Sequence, residues 1–568
     1  MKEQIKELIF EALDQLGIKL GEEVYTKITV DYPDFKFGHY SSNAAMIVAK
    51  VLDKNPKDLA QDILGHIHSL AFEQVSVAGP GFINFQLKSD FLISKLAKLA
   101  KEGVAQPSKV AKQKILVEYF QPNIAKPMHV GLLRTTIIGD CLKRMFLFLG
   151  FDTESDTHMG DWGTQFGLLL LAYKKSGNYE IVSKDPINEL NKLYVQINID
   201  CEATPSLKEE GKQEFVKLEQ GDEENRKIWK MFVDWSMEKF LRINALMDVL
   251  PFDHHWPESF YEDKMPEVLK KLKTAGLLVE SQGAQIVDLQ ADGLGVAIMV
   301  KSDGGTTYLL RDMATFIYRK QQGFTKQLYV VDNRQSHSFN QLFAILAKLK
   351  EMDKRGIDGE HVNYGFISFK GEALSTRKGN MVLVEDVISE AQNRVEKIIQ
   401  EKNPNLAGKT EVVSAISKAA LKYFDLSHNR HSDIEFSWDE VLDFEGNSGP
   451  YLQYTYARLA SILRKLDLPA TPYTLYPIRY SDTEQRIMFL LSIFSDKVRE
   501  SLNEFLPNIF TNYLYELCSL LNKFYHESPV TQEADEDKKL FRISLIKASK
   551  NVLSKGFDLL GIKAVEEM

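Results

Sequence analysis

The sequence predicts a multidomain protein: a Rossmann-like α/β domain with a parallel sheet, preceded by an α+β domain and followed by an all-α bundle. Three observations carry this. The chain has 568 residues, more than one hydrophobic core accommodates, so two to four domains are expected. From about residue 115 to 390, apolar β-prone runs alternate with helical stretches, the pattern of a parallel sheet with ligands at its strand C-termini. From about residue 391 onwards helical periodicity dominates.

The expected blocks are 1–105, 106–390 and 391–568. In the first, Met1–Leu16 places Ile5, Leu8, Ile9, Leu13 and Leu16 on one helical face, with Glu3, Glu7, Glu11 and Asp14 elsewhere, which reads as an amphipathic helix and not a signal peptide. Val75–Leu87 holds two short strands around Gly79–Pro80–Gly81. Ala105–Lys114 reads as a linker. In the second block Ile115–Tyr119, Gln327–Val331 and Tyr364–Phe369 read as buried strands, and Tyr179–Trp235 as a charged helical insertion. In the third, Phe541, Leu545, Ala548 and Val552 form a helical stripe, with Lys547, Lys550 and Lys555 off it.

Composition narrows the class. Hydrophobic content of 44% and charged content of 26% are ordinary for a soluble protein. No apolar run approaches the roughly 18 residues a membrane span needs. Cys141, Cys201 and Cys518 are scattered and odd in number, so neither a disulfide framework nor a structural metal site is expected, and a reducing cytoplasm is the expected compartment. The net charge of −9 argues weakly against nucleic acid, but phosphate contacts depend on local patches.

Chemistry concentrates first in Ile115–Asp140. The apolar run Ile115–Val117 enters a turn holding Pro122 and Pro127, followed by His129–Val130–Gly131 and an apolar helical stretch from Leu132. Strand, turn and helix start form a nucleotide site in which backbone N–H groups and the helix dipole are expected to face phosphate. Pro127 suits a first helical turn, Gly131 permits close backbone approach, and His129 offers a donor to a phosphate oxygen. A lone His-x-Gly fits an ordinary helix start equally well. Gly160–Gly167 (GDWGTQFG) is either a tight loop beside a core Trp or part of a site wall. Gly371–Asn380 (GEALSTRKGN) sets Arg377 and Lys378 after Ser375 and Thr376, a basic turn or a clamp for a triphosphate.

Tyr308 and Asp312, four apart in YLLRDMATFIYR, share a helical face. A planar guanidinium carries five donors and suits carboxylates in its plane. Glu118, ending the first strand, and Asp312 are two carboxylates that could serve such a group, with Asn123 and Gln335 as further polar candidates. The competing reading has Asp312 paired with Arg311 or Arg319. In the third block, FEGNSGPYLQYTYAR and LNKFYH interleave aromatic and basic residues, suited to RNA bases or to core packing.

These motifs resemble one family over nearly the whole chain. NIAKPMHVG is similar to the first signature of class I aminoacyl-tRNA synthetases in the form carried by arginyl enzymes, with Leu132 where the signature has its second His. LSTRKGN resembles the second signature loop, with Leu374 for the usual Met and no preceding Lys; the resemblance implies that Lys126 stands in for that Lys. It implies further that Glu118, Asn123, His129, Tyr308, Asp312 and Gln335 bind arginine. His129, Gly131, Leu132, Ser375, Thr376, Arg377 and Lys378 would bind ATP, with Lys126, His129, Arg377 and Lys378 catalytic. QSHSF departs from the family's Q-S-L-H-F, so His337 carries no implied role and, at a helix start, points about 100° away from the family direction.

The same resemblance implies tRNA contacts at Tyr40 and Asn43 in the first block, and at Tyr451, Tyr454, Tyr525 and Met568 in the third. Tyr40 and Asn43 also fit ordinary packing beside a cap by Ser41 or Ser42. The implied activity is ligation of L-arginine to tRNA(Arg) with ATP, whose Mg²⁺ arrives on the nucleotide, by a monomer with no membrane association. Three rivals remain: a tRNA-binding paralogue that has lost chemistry, a class I synthetase for another amino acid, and a nucleotidyltransferase sharing the phosphate site.

Overall fold

The computed structural model describes residues 1–109, 113–353, 356, 358–369, 382–466 and 478–568. Its strands run β1 (Val30–Asp31), β2 (Tyr40–Ser42), β3 (Phe72–Ala78), β4 (Phe82–Leu87), β5 (Lys114–Glu118), β6 (Asp152–Asp156) and β7 (Leu278–Ser281). They continue as β8 (Ala284–Leu289), β9 (Gly295–Val300), β10 (Lys326–Tyr329), β11 (Gly359–His361), β12 (Ile367–Phe369) and β13 (Ile434–Phe436). The chain divides into two compact units, one of residues 1–105, 458–495 and 516–553, the other of 106–457, 496–515 and 554–568.

In the first unit β1, β2, β4 and β3 form an antiparallel sheet in that order. Period-two alternation sends Ile83, Phe85 and Leu87 into the core. Gly81 turns the β3–β4 hairpin with φ +126, and a Cβ there would lie 2.8 Å from the Pro56 carbonyl oxygen. The helix Lys2–Gln15 buries Ile5, Ile9 and Leu13. Phe489, from the helix Asp482–Ser492, packs its ring against Tyr32, Phe35, His39 and Tyr40.

In the second unit β11, β10, β5 and β6 form a parallel sheet in that order. β7, β8 and β9 make a separate antiparallel sheet. The expected insertion is a run of helices, Tyr179–Val182, Pro186–Ala203, Ser206–Glu219 and Glu223–Leu246, and so extends past Trp235.

Three expectations shift. Tyr364–Phe369 does not form a strand of the main sheet: Tyr364 makes a single parallel bridge to Asp332 beyond β10, and only Ile367–Phe369 is a strand, which pairs with β13. The chain turns there towards residues 430–434, with Gly365 N–H donating to Arg430 O at 2.7 Å and Ile434 N–H to Phe366 O at 2.8 Å, and Gly365 permits the approach, since a Cβ would sit 2.4 Å from the Ser432 carbonyl oxygen. The boundary near 390 falls inside the helix Val384–Lys402. The third block is shared between the units, because Val565 and Met568 pack on Val395, Ile399 and Ile416 while the helix Asp482–Ser492 packs on Ser89–Glu102.

Candidate active site

The order of the parallel sheet fixes where a ligand can lie. From β5 the chain crosses to β6 on one side, and from β10 it crosses to β11 on the other. The loops leaving adjacent strands β5 and β10 therefore part company, opening a crevice at their C-terminal ends. Glu118 ends β5, directly opposite Tyr329 of β10 and Asp156 of β6.

The turn after β5 is held in an unusual backbone. Phe120 (φ 72) and Ala125 (φ 57) occupy the left-handed region without being glycine, which costs on the order of 1–3 kcal/mol each. The Phe120 N–H donates to Thr135 Oγ1 at 3.3 Å and the Ala125 N–H to Ser236 Oγ at 2.9 Å. Asn123 bridges the loop after β6: Ile124 N–H donates to Gly160 O and Gly160 N–H to Pro122 O, each at 3.0 Å. A Cβ on Gly160 would come within 2.1 Å of Asn123 Oδ1, so glycine is what lets the exposed Asn123 side chain stand there.

The His129 ring accepts the Gly131 N–H on Nδ1 at 3.1 Å. That fixes the tautomer with the proton on Nε2, leaving one outward donor. Burial, joined by the nearby Arg334, lowers its pKa against the pull of Asp332, so the ring stays neutral. A Cβ on Gly131 would lie 2.9 Å from the ring. One expectation is corrected here: the first amides of the helix Gly131–Phe148 are already used. Val130 N–H goes to Val382 O, Gly131 N–H to the ring, Leu132 N–H to His129 O and Leu133 N–H to Val130 O. The helix start thus offers a phosphate its dipole and His129 Nε2–H, not free backbone donors. Leu132 lies half-buried one residue on.

Residues 382–384 pair with 128–130 through Val130 N–H to Val382 O and Val384 N–H to Met128 O, so the C-terminal flank of the second phosphate motif is tied to the first. Ser375, Thr376, Arg377 and Lys378 lie outside the described residues. Lys126 Nζ donates to Gln165 Oε1 at 3.3 Å and stands 5.1 Å over the Tyr194 ring. Burial lowers its pKa. It faces the wall formed by GDWGTQFG and the helical insertion, and must turn from Gln165 to meet a phosphate.

The amino-acid side of the crevice is carried by the helix Tyr308–Gln321. At about 100° per residue, Tyr308, Asp312, Thr315 and Arg319 fall within about 60° of one another. Tyr308 is exposed at the mouth, its hydroxyl 3.9 Å from where a Gly163 Cβ would be. Arg319 is fully buried at the floor, donating to Glu118 Oε2 at 2.5 Å and Asp156 Oδ2 at 2.6 Å. Asp312 lies between, and among the described residues no hydrogen bond or ion pair reaches its carboxylate. The pairing with Arg311 or Arg319 weighed from sequence is not formed: Arg311 donates to Glu262 at 2.7 Å and approaches Glu258 at 3.5 Å.

Charge follows from this packing. Burial, reinforced by Glu118 and opposed by Arg311 and Arg319, pushes Asp312 up to about 7. Burial works against ionised Glu118, but Arg319 and the amide of Gln121 (3.2 Å from Oε1) outweigh it and hold its pKa below the usual range. Asp156 is pushed up to about 7 by burial. His158, after β6, is driven down to about 4 by burial, and its buried Nδ1 has no hydrogen-bond partner among the described residues. Arg319, Asp156 and His158 were not singled out from the sequence as site residues, although β6 ends at the same level as β5.

Gln335 is exposed at the end of the turn Asn333–Gln335, and His337 is exposed in the first turn of the helix Ser336–Lys348. Among the tRNA candidates, Tyr40 is corrected: only 1% of it is exposed, because its position on β2 points into the core against Tyr32 and Phe489. Asn43 uses its amide to accept from Thr29 N–H at 2.8 Å and donate to Lys27 O at 3.2 Å. It still lines an apolar hollow with Phe37, Pro80 and Phe82. Ser42, not Asn43, meets the Ala44 N–H, at 3.2 Å. Tyr451 packs on Tyr515 with ring centroids 5.5 Å apart, and Tyr454 is exposed. Tyr525 is exposed with the Arg458 guanidinium 4.6 Å over its ring. Met568 packs against the cluster around Val395 and accepts from Asn403 at 3.4 Å through its carbonyl. Among the described residues no helix is long and apolar enough to cross a membrane, and no group of His, Cys, Asp or Glu is disposed to hold a metal.

Comparison with known proteins places this geometry. Residues 95–438 match the family described as tRNA synthetases class I (R), catalytic domain; residues 452–568 match the DALR anticodon binding domain, and residues 3–87 the arginyl tRNA synthetase N terminal domain. The arginine–tRNA ligase of Alkaliphilus metalliredigens is 36% identical over 100% of this chain and 99% of its own. That of Clostridium kluyveri is 40% identical over 92% of each. Among solved structures, the arginyl-tRNA synthetase of Plasmodium falciparum aligns with a TM-score of 0.84 and 27% identity, covering 100% of this chain and 99% of that one. The Thermus thermophilus arginyl-tRNA synthetase shares the fold over 100% of both chains, with a TM-score of 0.84 at 24% identity. A parallel sheet with a crevice at its switch point, a neutral histidine at the helix start and matches to all three constituent domains make one assignment, and the chain belongs to the arginyl-tRNA synthetase family of class I aminoacyl-tRNA synthetases.

Proposed function

We propose that the chain ligates L-arginine to tRNA(Arg) at the expense of ATP, working as a monomer in the cytoplasm. The observation that carries this is the Asp312 carboxylate, half-buried, without a described partner, and close enough to Glu118 for each to disfavour the other's charge. A group so placed calls for a cation, and a planar guanidinium meets two carboxylates at once. Tyr308 covers the mouth, while Asn123 and Gln335 stand exposed at the crevice for the α-amino and carboxylate groups.

In the first step an arginine carboxylate oxygen attacks the α-phosphorus of ATP, which enters as its magnesium salt. The bond to the bridging oxygen breaks and pyrophosphate leaves, giving arginyl-adenylate. In the second, a terminal ribose hydroxyl of tRNA attacks the adenylate carbonyl, AMP leaves, and the hydroxyl proton is lost. No covalent enzyme intermediate forms, so positioning and charge stabilisation supply the rate. His129 Nε2–H donates to a phosphate oxygen, and Lys126, Arg377 and Lys378 neutralise the phosphates. ATP contacts extend to Gly131, Leu132, Ser375 and Thr376. Tyr454 and Tyr525 offer rings to tRNA bases, with Asn43 in the hollow of the N-terminal domain and Tyr451 and Met568 in supporting positions. Aminoacylation of a tRNA pool with each amino acid in turn tests this. Charging by arginine alone is expected. Charging by a neutral amino acid overturns the substrate, and no turnover at high enzyme concentration overturns the activity in favour of a tRNA-binding role.

A further inference from the structure

The floor of the pocket already holds a guanidinium. Arg319 has no exposed surface, and its two terminal nitrogens reach Glu118 and Asp156, which stand opposite each other on adjacent parallel strands. Neighbouring strands lie about 4.8 Å apart, and the planar guanidinium meets the two carboxylates with a separate nitrogen each, a fixed geometry that a compact ammonium does not impose. Arg319 Nε is left without a hydrogen-bond partner among the described residues, so the fork is committed to the two carboxylates at the expense of its third position.

Two consequences reach the substrate. Glu118 Oε2 is drawn to Arg319, which sets the direction of Oε1, whose donor is the Gln121 amide. And three buried or half-buried carboxylates, Glu118, Asp156 and Asp312, answer to this one internal cation, since Arg311 is engaged with Glu258 and Glu262. We propose that Arg319 is a positioning residue for amino-acid selection: by clamping Glu118 to Asp156 it aims the second Glu118 oxygen across the pocket at Asp312 and leaves the site with more carboxylates than cations, an excess of negative charge that the substrate guanidinium binds against. This rests on the reading of the pocket as the arginine site.

A merely structural ion pair and a positioning one differ in what they do to each substrate. In arginine-dependent ATP–pyrophosphate exchange, run with tRNA present, Arg319→Met is expected to raise the KM for arginine at least twentyfold while the KM for ATP stays within twofold. Arg319→Lys restores charge but not the fork, and should leave the arginine KM at least fivefold raised. Citrulline, a neutral isostere of arginine, should not compete with arginine in the native enzyme. A folded Arg319→Met enzyme with an arginine KM within twofold of native, or one whose ATP KM rises by the same factor, overturns the inference. If Arg319→Met fails to fold, Asp156→Asn loosens the clamp from its other end. A three- to tenfold rise in arginine KM is then expected, and no rise is fatal to the proposal. Failure of the underlying reading is distinct, because the native chain would then show no arginine-dependent exchange.

Discussion

Replacing Asp312 with asparagine should make the protein more stable and the enzyme worse. The side chains are isosteric, so the change removes charge and little else. Asp312 has its pKa raised from 3.8 to about 7. At 1.36 kcal/mol per unit, the folded state without substrate bears up to about 4 kcal/mol for keeping this carboxylate ionised. Asp312 opens on the crevice, where water screens it, so about 1–3 kcal/mol is the working range. The sign follows from linkage: an acid whose folded pKa lies above its unfolded value binds more protons when folded. The native protein therefore loses stability as pH rises from about 4 to 7, then levels off. Asp312→Asn escapes this loss, so its Tm should exceed the native Tm at pH 8 and approach it at pH 4.5. Against arginine the same change removes a charge-assisted contact, about 2–3 kcal/mol, or 30- to 150-fold in KM. The native arginine KM should also climb below pH 7, where binding must first expel the proton from Asp312, and this climb should be absent in Asp312→Asn. Calorimetry at the two pH values, with pyrophosphate exchange between pH 6 and 8, measures both halves. A Tm for Asp312→Asn below native at pH 8 would refute the electrostatic argument, and an unchanged arginine KM would refute the assignment of Asp312 to the substrate.

Gly160→Ala places a methyl 2.1 Å from Asn123 Oδ1, and that exposed side chain can swing aside; melting should move little while arginine-dependent exchange falls at least tenfold, and equal losses of both would show that Gly160 serves folding alone. Leu132→His adds a donor beside His129 at the helix start, a position where one transition-state donor is worth up to about 3 kcal/mol; exchange kcat should rise about tenfold with the arginine KM unchanged, and no gain would mean that the site has adapted to leucine. Tyr525→Ala removes an exposed ring with Arg458 over its face, and loss of one base-stacking contact, about 1–3 kcal/mol, should raise the tRNA KM about tenfold or more; a rise in the arginine KM instead would place Tyr525 outside tRNA recognition.

What could be read from the sequence was local. The His129–Val130–Gly131 tripeptide is a contiguous motif, and the Tyr308–Asp312 pair is one helical turn, so spacing alone singles these residues out, whereas the bond from the Gly131 N–H to the His129 ring appears only in the structure. The floor of the pocket was hidden because Arg319 finds its partners 201 and 163 residues away. Strand β6 was hidden because Asp152–Asp156 looks like a surface segment. It is a sheet strand with Ser155 and Asp156 fully buried, and its polar side chains are satisfied by Lys143, Asp253 and Arg319 in place of apolar packing. Tyr40 failed as an RNA contact for a related reason: a strand turns alternate residues inward, and which face is inward depends on Phe489, hundreds of residues later. The helix-start amides were misjudged on two counts: the Val130 N–H finds its acceptor at Val382, on the far flank of the second phosphate motif, and the amides of Gly131, Leu132 and Leu133 turn back on His129 and Val130.

The pocket also shows why its charges belong to function. A buried ion pair contributes little net stability, since desolvating the partners offsets most of their attraction. A fold selected for stability alone would gain by replacing Glu118, Asp156 and Arg319 with apolar residues of similar volume, and again by removing Asp312. Instead the catalytic domain keeps two left-handed non-glycine residues in the turn above them and, among the described residues, leaves His158 Nδ1 and Arg319 Nε without a hydrogen-bond partner. These costs lie within a few residues of the C-terminal ends of β5 and β6 or on the helix that lines them, the place where the sheet topology opens a crevice. Strain and unmet charge gathered where a ligand can relieve them are what a site preorganised for a cationic substrate requires, because only the bound state completes the electrostatics that the empty protein leaves open.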